Sequence, residues 1–177
     1  MAHTIFITGG ARSGKSTFAE KRAGEFGSRL CYLATAQTLD SEMDERVRRH
    51  CERRGDEWNT IEEPIHLSQA LARSDGQYDA ILVDCLTLWL SNLLFRYENA
   101  AEEIEERIIE DLQRLKNTLQ GMVTPVVLVS NEVGMGIVPD NALARMFRDI
   151  AGRTNQALAA AADEVYVLIS GIPLKLK

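Results

Sequence analysis

Hydrophobic residues along this chain follow two rhythms. Short runs rich in β-branched and aliphatic residues lie at 4–8, 30–34, 80–83, 126–130 and 165–170, with a weaker run at 58–61. Most are continuous rather than alternating, which is what a parallel strand covered on both faces requires. Between them, positions 15–26, 41–54, 67–73, 87–96, 102–120 and 141–162 have the composition and period of helices. In 102–120, Ile104, Ile108, Leu112, Leu115 and Leu119 form one apolar stripe opposite an acidic face. Gly121 is expected to close that helix, and Asp140 or Asn141, after Pro139, to cap the next. Strands alternating with helices predict an α/β fold with a mostly parallel central sheet and helices on both faces. Ser170-Gly171 is a turn signal, so 173–177 is expected to return as an antiparallel edge strand. No repeat, linker or low-complexity tract interrupts 1–177, which predicts a single domain.

Composition narrows the class of protein. With 177 residues, 45% hydrophobic and 26% charged, the chain is long enough for one well-buried core and is neither collagen-like nor disordered. A net charge of −6 argues against coating nucleic acid or an anionic membrane, and favours small-molecule partners. The apolar runs are far shorter than the ~20 residues of a membrane-spanning helix. The first strand-like run begins by Thr4, leaving no room for a signal segment, so a cytoplasmic location is expected. Cys31, Cys51 and Cys85 are odd in number and lack CxxC spacing, which predicts reduced thiols rather than disulfides or a zinc site.

The first strand runs directly into Gly9, Gly10, Ala11, Arg12, Ser13, Gly14, Lys15 and Ser16, which satisfies GxxxxGK[ST] and opens a helix. In such a loop backbone N–H groups wrap phosphates, the helix N-terminus adds positive potential, Lys15 reaches the β and γ oxygens, and Ser16 can ligate Mg²⁺. A chance glycine-rich turn would not require strand, loop and helix in this order. A magnesium site needs an acidic partner at a neighbouring strand end, and Asp84 after the apolar run 80–83 has that place. The competing reading of Asp84 is a cap for the helix starting near Thr87.

Arg46, Arg48, Arg49, Arg53 and Arg54 concentrate positive charge in an otherwise acidic chain. On a helix, Arg46, Arg53 and Arg54 share a face with His50. Nearby cations disfavour imidazolium, which keeps His50 neutral and nucleophilic while the guanidiniums hold phosphate oxygens. The blander reading is a surface histidine on a solvated helix. His3 and His66 lack such surroundings.

Taken together, TGGARSGKS at 8–16, YLATA at 32–36, the pattern from Arg46 through His50 and Arg54 to Trp58, Glu62-Glu63-Pro64 and NEVGMGIVP at 131–139 resemble the bifunctional adenosylcobinamide kinase/adenosylcobinamide-phosphate guanylyltransferase family of cobalamin biosynthesis. The likeness continues through RDIAGRTN at 148–155, AAADEV at 160–165 and Ser170-Gly171. It implies a RecA-like core and two reactions. The hydroxyl of adenosylcobinamide takes a phosphoryl group from ATP or GTP. GTP then gives GMP to adenosylcobinamide phosphate through a GMP-histidine intermediate, here at His50, yielding adenosylcobinamide-GDP and pyrophosphate. The resemblance assigns nucleotide binding to the phosphate loop, to Ala34, Thr35 and Ala36, to Cys51, Glu52, Arg53 and Arg54, and to Glu62 and Asp84. It also implies a homotrimer. The segment 131–139 receives no catalytic role from this reading, and no residue is singled out to orient the substrate hydroxyl.

Two other readings use the same loop. A generic phosphate-loop small-molecule kinase needs Gly9–Ser16 and Asp84 but gives His50 no covalent role. A regulatory GTPase calls for an NKxD-type guanine reader and a DxxG loop, which Asn131-Glu132-Val133-Gly134 and Asp84-Cys85-Leu86-Thr87 do not match.

Overall fold

The computed structural model describes residues 2–37, 58–100 and 103–177. Its seven strands are β1 (Thr4–Gly9), β2 (Leu30–Ala34), β3 (Trp58–Glu62), β4 (Ala80–Asp84), β5 (Val126–Val129), β6 (Glu164–Ile169) and β7 (Ile172–Lys175). The described helices are α1 (Lys15–Gly24), α2 (Leu67–Ser74), α3 (Leu86–Arg96), α4 (Ile104–Gly121) and α5 (Ala142–Ala161). Every predicted strand is present within one or two residues at each end. The helix predicted over 41–54 lies outside the described residues.

One sheet holds all seven strands in the order β3-β2-β4-β5-β1-β6-β7, parallel throughout except for the last pair. Continuous apolar strands are buried on both faces, as their composition requires. Alternate side chains divide between two cores. Phe6, Cys31, Leu33, Ile81, Val83 and Leu128 meet Leu71, Trp89, Leu90, Leu115 and Leu158 from α2, α3, α4 and α5. On the other face Ile5, Ile7, Tyr32, Leu82 and Val129 meet Ala19 and Ala23 of α1. Full burial of a leucine or isoleucine side chain contributes about 1.5–3 kcal/mol, so these two layers dominate stability.

Local sequence accounts for most element ends. Asn141 caps α5, its side-chain oxygen accepting from the Ala144 N–H at 2.8 Å. Ser170 and Gly171 have φ of 52° and 81°, so both central residues of the β6–β7 turn are left-handed, as a tight hairpin demands. Gly121 is the final residue of α4 rather than a left-handed cap beyond it. The helix stops because Met122 is extended and buried, with its carbonyl accepting from the Ala2 N–H at 2.8 Å.

Candidate active site

Parallel register brings the predicted segments to one edge. Ala34 pairs with both Glu62 and Asp84, and Asp84 pairs with Val129, so the C-terminal ends of β3, β2, β4 and β5 form a row. The phosphate loop leaves the adjoining strand β1 at the same edge. Ligands of open α/β sheets occupy this edge, where connections diverge to opposite sides.

The loop is held from below by the β6–β7 hairpin. The Gly171 N–H donates to the Ser13 carbonyl at 3.0 Å. At Gly9, φ is 149° and a Cβ would come within 2.4 Å of the Leu168 carbonyl oxygen, so any side chain would drive the loop off β6. Arg12, with φ of 57°, stands exposed at the loop tip. The Ser13 hydroxyl is buried and has no hydrogen-bond partner among the described residues.

Lys15 is 6% exposed, and its ammonium donates to the Gly10 carbonyl at 2.6 Å across the loop. Burial lowers its pKa, opposed by the neighbouring Cys85 and Asp84. Ser16 donates to an Asp84 carboxylate oxygen at 2.7 Å. Asp84 therefore does not act as the helix cap: α3 is entered through Cys85, and no side chain caps it. The hydroxyl and carboxylate are the hard oxygen donors Mg²⁺ prefers, and they sit where a triphosphate would supply the remaining ligands. Residues Arg12 to Thr17, Asp84, Cys85, Val129 and Asn131 line an open cleft of about 340 Å³.

The loop after β2 is more structural than its string suggests. Thr35 is fully buried; its hydroxyl donates to the Cys85 carbonyl at 2.7 Å and accepts from the Cys85 N–H at 2.9 Å. Ala34 and Thr35 thus reach the site edge, but the Thr35 hydroxyl is turned inward to clamp β2 to β4. Asn92 of α3 donates to the carbonyls of Thr35 at 2.8 Å and Pro64 at 3.0 Å, tying together the loops that follow β2 and β3. Glu63 caps the entry to α2 by accepting from the N–H groups of Ile65 and His66, leaving Glu62 exposed at the edge. His50, Cys51, Glu52, Arg53 and Arg54, with Arg46, lie outside the described residues. Among the described residues no cluster of three or more His, Cys, Asp or Glu forms a metal site.

Sequence reasoning did not single out the polar group behind the cleft. The Thr87 hydroxyl accepts from the Asn131 N–H at 2.7 Å, Ser130 donates to the Asn155 side-chain oxygen at 2.7 Å, and Asn155 donates to the Asn131 carbonyl at 3.2 Å. The signal was the polar pair Ser130-Asn131 directly after an apolar strand, but only the sheet order places it beside the phosphate loop.

A phosphate loop on a central parallel strand, with its lysine, serine and a neighbouring strand-end carboxylate converging, defines a P-loop nucleotide-binding protein. The fold agrees: the chain superposes on the RadB recombinase with a TM-score of 0.54 at 16% identity, covering 93% of this chain and 73% of that one. The chain belongs to the cobinamide kinase / cobinamide phosphate guanyltransferase family, whose sequence pattern matches residues 5–176. It is 45% identical to the bifunctional adenosylcobalamin biosynthesis protein CobU of Escherichia coli (strain K12), over 98% of this chain and 99% of that one. Its identity to the protein of the same description from Salmonella typhimurium is 48%, with the same coverage.

Proposed function

We infer that this chain is a bifunctional enzyme of cobalamin nucleotide-loop assembly, acting on adenosylcobinamide and then on its phosphate. The observation that carries the reading is the 2.7 Å contact between Ser16 and Asp84 beside Lys15, in a chain that matches the family along almost its whole length. In the kinase step the substrate hydroxyl oxygen bonds to the γ-phosphorus of ATP or GTP, the bond from that phosphorus to the β-phosphate oxygen breaks, and the hydroxyl proton is lost. Ser16 and Asp84 would hold Mg²⁺, which would neutralise charge on the phosphates. Lys15, already buried beside the loop, leaves the Gly10 carbonyl for the phosphate oxygens. Gly9, Gly10, Ala11, Arg12, Ser13 and Gly14 wrap the phosphates, while the edge at Ala34, Thr35, Ala36, Glu62 and Asp84 bounds the rest of the nucleotide.

In the second step a ring nitrogen of His50 attacks the α-phosphorus of GTP and pyrophosphate leaves. A phosphate oxygen of adenosylcobinamide phosphate then attacks the same phosphorus and frees the histidine. Cys51, Glu52, Arg53 and Arg54 belong to this nucleotide site in the same reading. All of this is the work of one domain spanning 1–177, assembled as a homotrimer and working in the cytoplasm on small molecules rather than nucleic acid. No described helix is long and apolar enough to cross a membrane.

Incubation with GTP labelled at the α or the γ phosphate, followed by denaturation, tests the covalent step. Label is expected on the protein from α-labelled GTP alone, acid-labile and stable to base, and absent from His50→Ala. Retained acid-labile label in His50→Ala moves the assignment to His66 or His3. No label in the wild-type protein leaves a phosphate-loop kinase without a covalent histidine.

A further inference from the structure

We propose that the side-chain amide of Asn131 donates a hydrogen bond to the γ-phosphoryl group as it is transferred to the substrate hydroxyl. This rests on the kinase reading above and assigns a residue that reading leaves without a role. Strand β5 lies in the sheet between β1, which carries the phosphate loop, and β4, which ends in Asp84. The chain leaving Val129 therefore rises between the two halves of the triphosphate site, and Asn131 lines the cleft with Lys15, Ser16 and Asp84.

Its backbone is fixed on both sides. The Asn131 N–H donates to Thr87 at 2.7 Å, its carbonyl accepts from Asn155 at 3.2 Å, and the next N–H, of Glu132, donates to the Gly9 carbonyl at 3.0 Å. Thr87, Ser130 and Asn155 are buried, so this support is shielded from water. The side-chain nitrogen of Asn131, in contrast, faces the Cys85 sulfur at 3.9 Å. A cysteine sulfur is a weak acceptor at that distance, and a phosphoryl oxygen displaces it.

A preorganised donor aimed at developing negative charge is the arrangement that lowers a phosphoryl-transfer barrier, and an amide supplies it beside Asp84 without further negative charge. Asn131 exchanges no proton. It binds the equatorial oxygens while the bond to the β-phosphate oxygen breaks and the bond to the substrate oxygen forms. In guanylyl transfer the reacting centre is the α-phosphorus and the γ-phosphate departs within pyrophosphate, so the same contact matters less there.

The test compares two rates in each purified full-length variant: phosphorylation of adenosylcobinamide by ATP, and guanylyl transfer from GTP to pre-formed adenosylcobinamide phosphate. Asn131→Ala is expected to lower kinase kcat by about 10²–10³, the usual loss for one such donor. The kinase to guanylyl-transfer ratio should fall at least about tenfold, a comparison in which the folded fraction of a variant cancels. Asn131→Asp, which sets an anion against the phosphoryl oxygens, should be the slower kinase of the two. An unchanged ratio overturns the proposal, and so does a kinase faster in Asn131→Asp than in Asn131→Ala, which would mean an acceptor for the substrate hydroxyl. Absence of both activities from the wild-type protein would instead remove the underlying reading.

Discussion

Lys15 illustrates how one side chain serves two reactions. It is buried, with a backbone carbonyl of its own loop as partner, so binding a triphosphate exchanges a neutral acceptor for an anionic one. Lys15→Ala is expected to slow both kinase and guanylyl transfer by about 10²–10³, measured as kcat of each. Loss of the kinase alone would require a second nucleotide site. Asp84→Asn keeps the shape of the acid but removes its charge. Its rate should therefore saturate at higher magnesium concentration than the wild type, with extra magnesium restoring part of the activity. The same magnesium titration curve in both proteins would leave Asp84 with only its Ser16 hydrogen bond.

Among the elements, the junction of β2 and β4 determines whether the site edge is straight. Thr35 satisfies both backbone groups of Cys85 with one hydroxyl, and all three lie in the interior. Thr35→Val keeps the volume and orphans the buried Cys85 N–H, which costs about 1–3 kcal/mol, while the Cys85 carbonyl keeps the Trp89 N–H at 3.2 Å. Urea denaturation should show a midpoint lowered accordingly, with nucleotide affinity falling as the edge loosens. A midpoint unchanged from wild type would mean that water replaces the hydroxyl. Thr35 also shows what its string does not carry: the pairing of Ala34 with Asp84 directs its hydroxyl into the protein, onto Cys85. Asn92, inside α3 and outside every quoted motif, clamps the same loop through two carbonyls and had no local signature.

At the scale of the molecule, one charge cluster ties the N-terminus, α1 and the β6–β7 hairpin together. Glu164, at the start of β6, accepts from Tyr166 at 2.5 Å, Lys175 at 2.9 Å and Arg22 at 2.9 Å, and contacts His3 at 2.8 Å. The Tyr166, Lys175 and His3 hydrogen bonds, with the Arg22 charge, hold its pKa at about 2, below its ordinary 4.5. Because the folded value is depressed, its stabilisation is complete above pH 4.5 and is lost as pH falls toward 2. Glu164→Gln should melt earlier than wild type at pH 7, with the gap closing across that acid window. A gap independent of pH would show that the carboxylate charge is not the cause. Met135 at 88% and Ile137 at 97% exposure leave apolar surface in the segment that follows β5. Light scattering during size exclusion is expected to report three times the 19.8 kDa chain mass; a monomeric mass would contradict the trimer.

What the amino-acid sequence determined by itself was whatever depends on neighbours in the chain. The continuous apolar strands, the Asn141 cap, the left-handed Ser170-Gly171 turn and the phosphate loop are all local choices of backbone and burial. The loop's chemistry was legible for the same reason: its glycines, lysine and serine are contiguous. The tertiary structure decided what depends on strand order. Placing β4 next to β5, one strand from β1, decided between the two readings of Asp84, making it the partner of Ser16 rather than a helix cap. The same order put Asn131, whose string had received no catalytic role, among Lys15, Ser16 and Asp84. Strand order follows from how two hydrophobic faces are covered by helices distant in sequence, and no short segment carries that information.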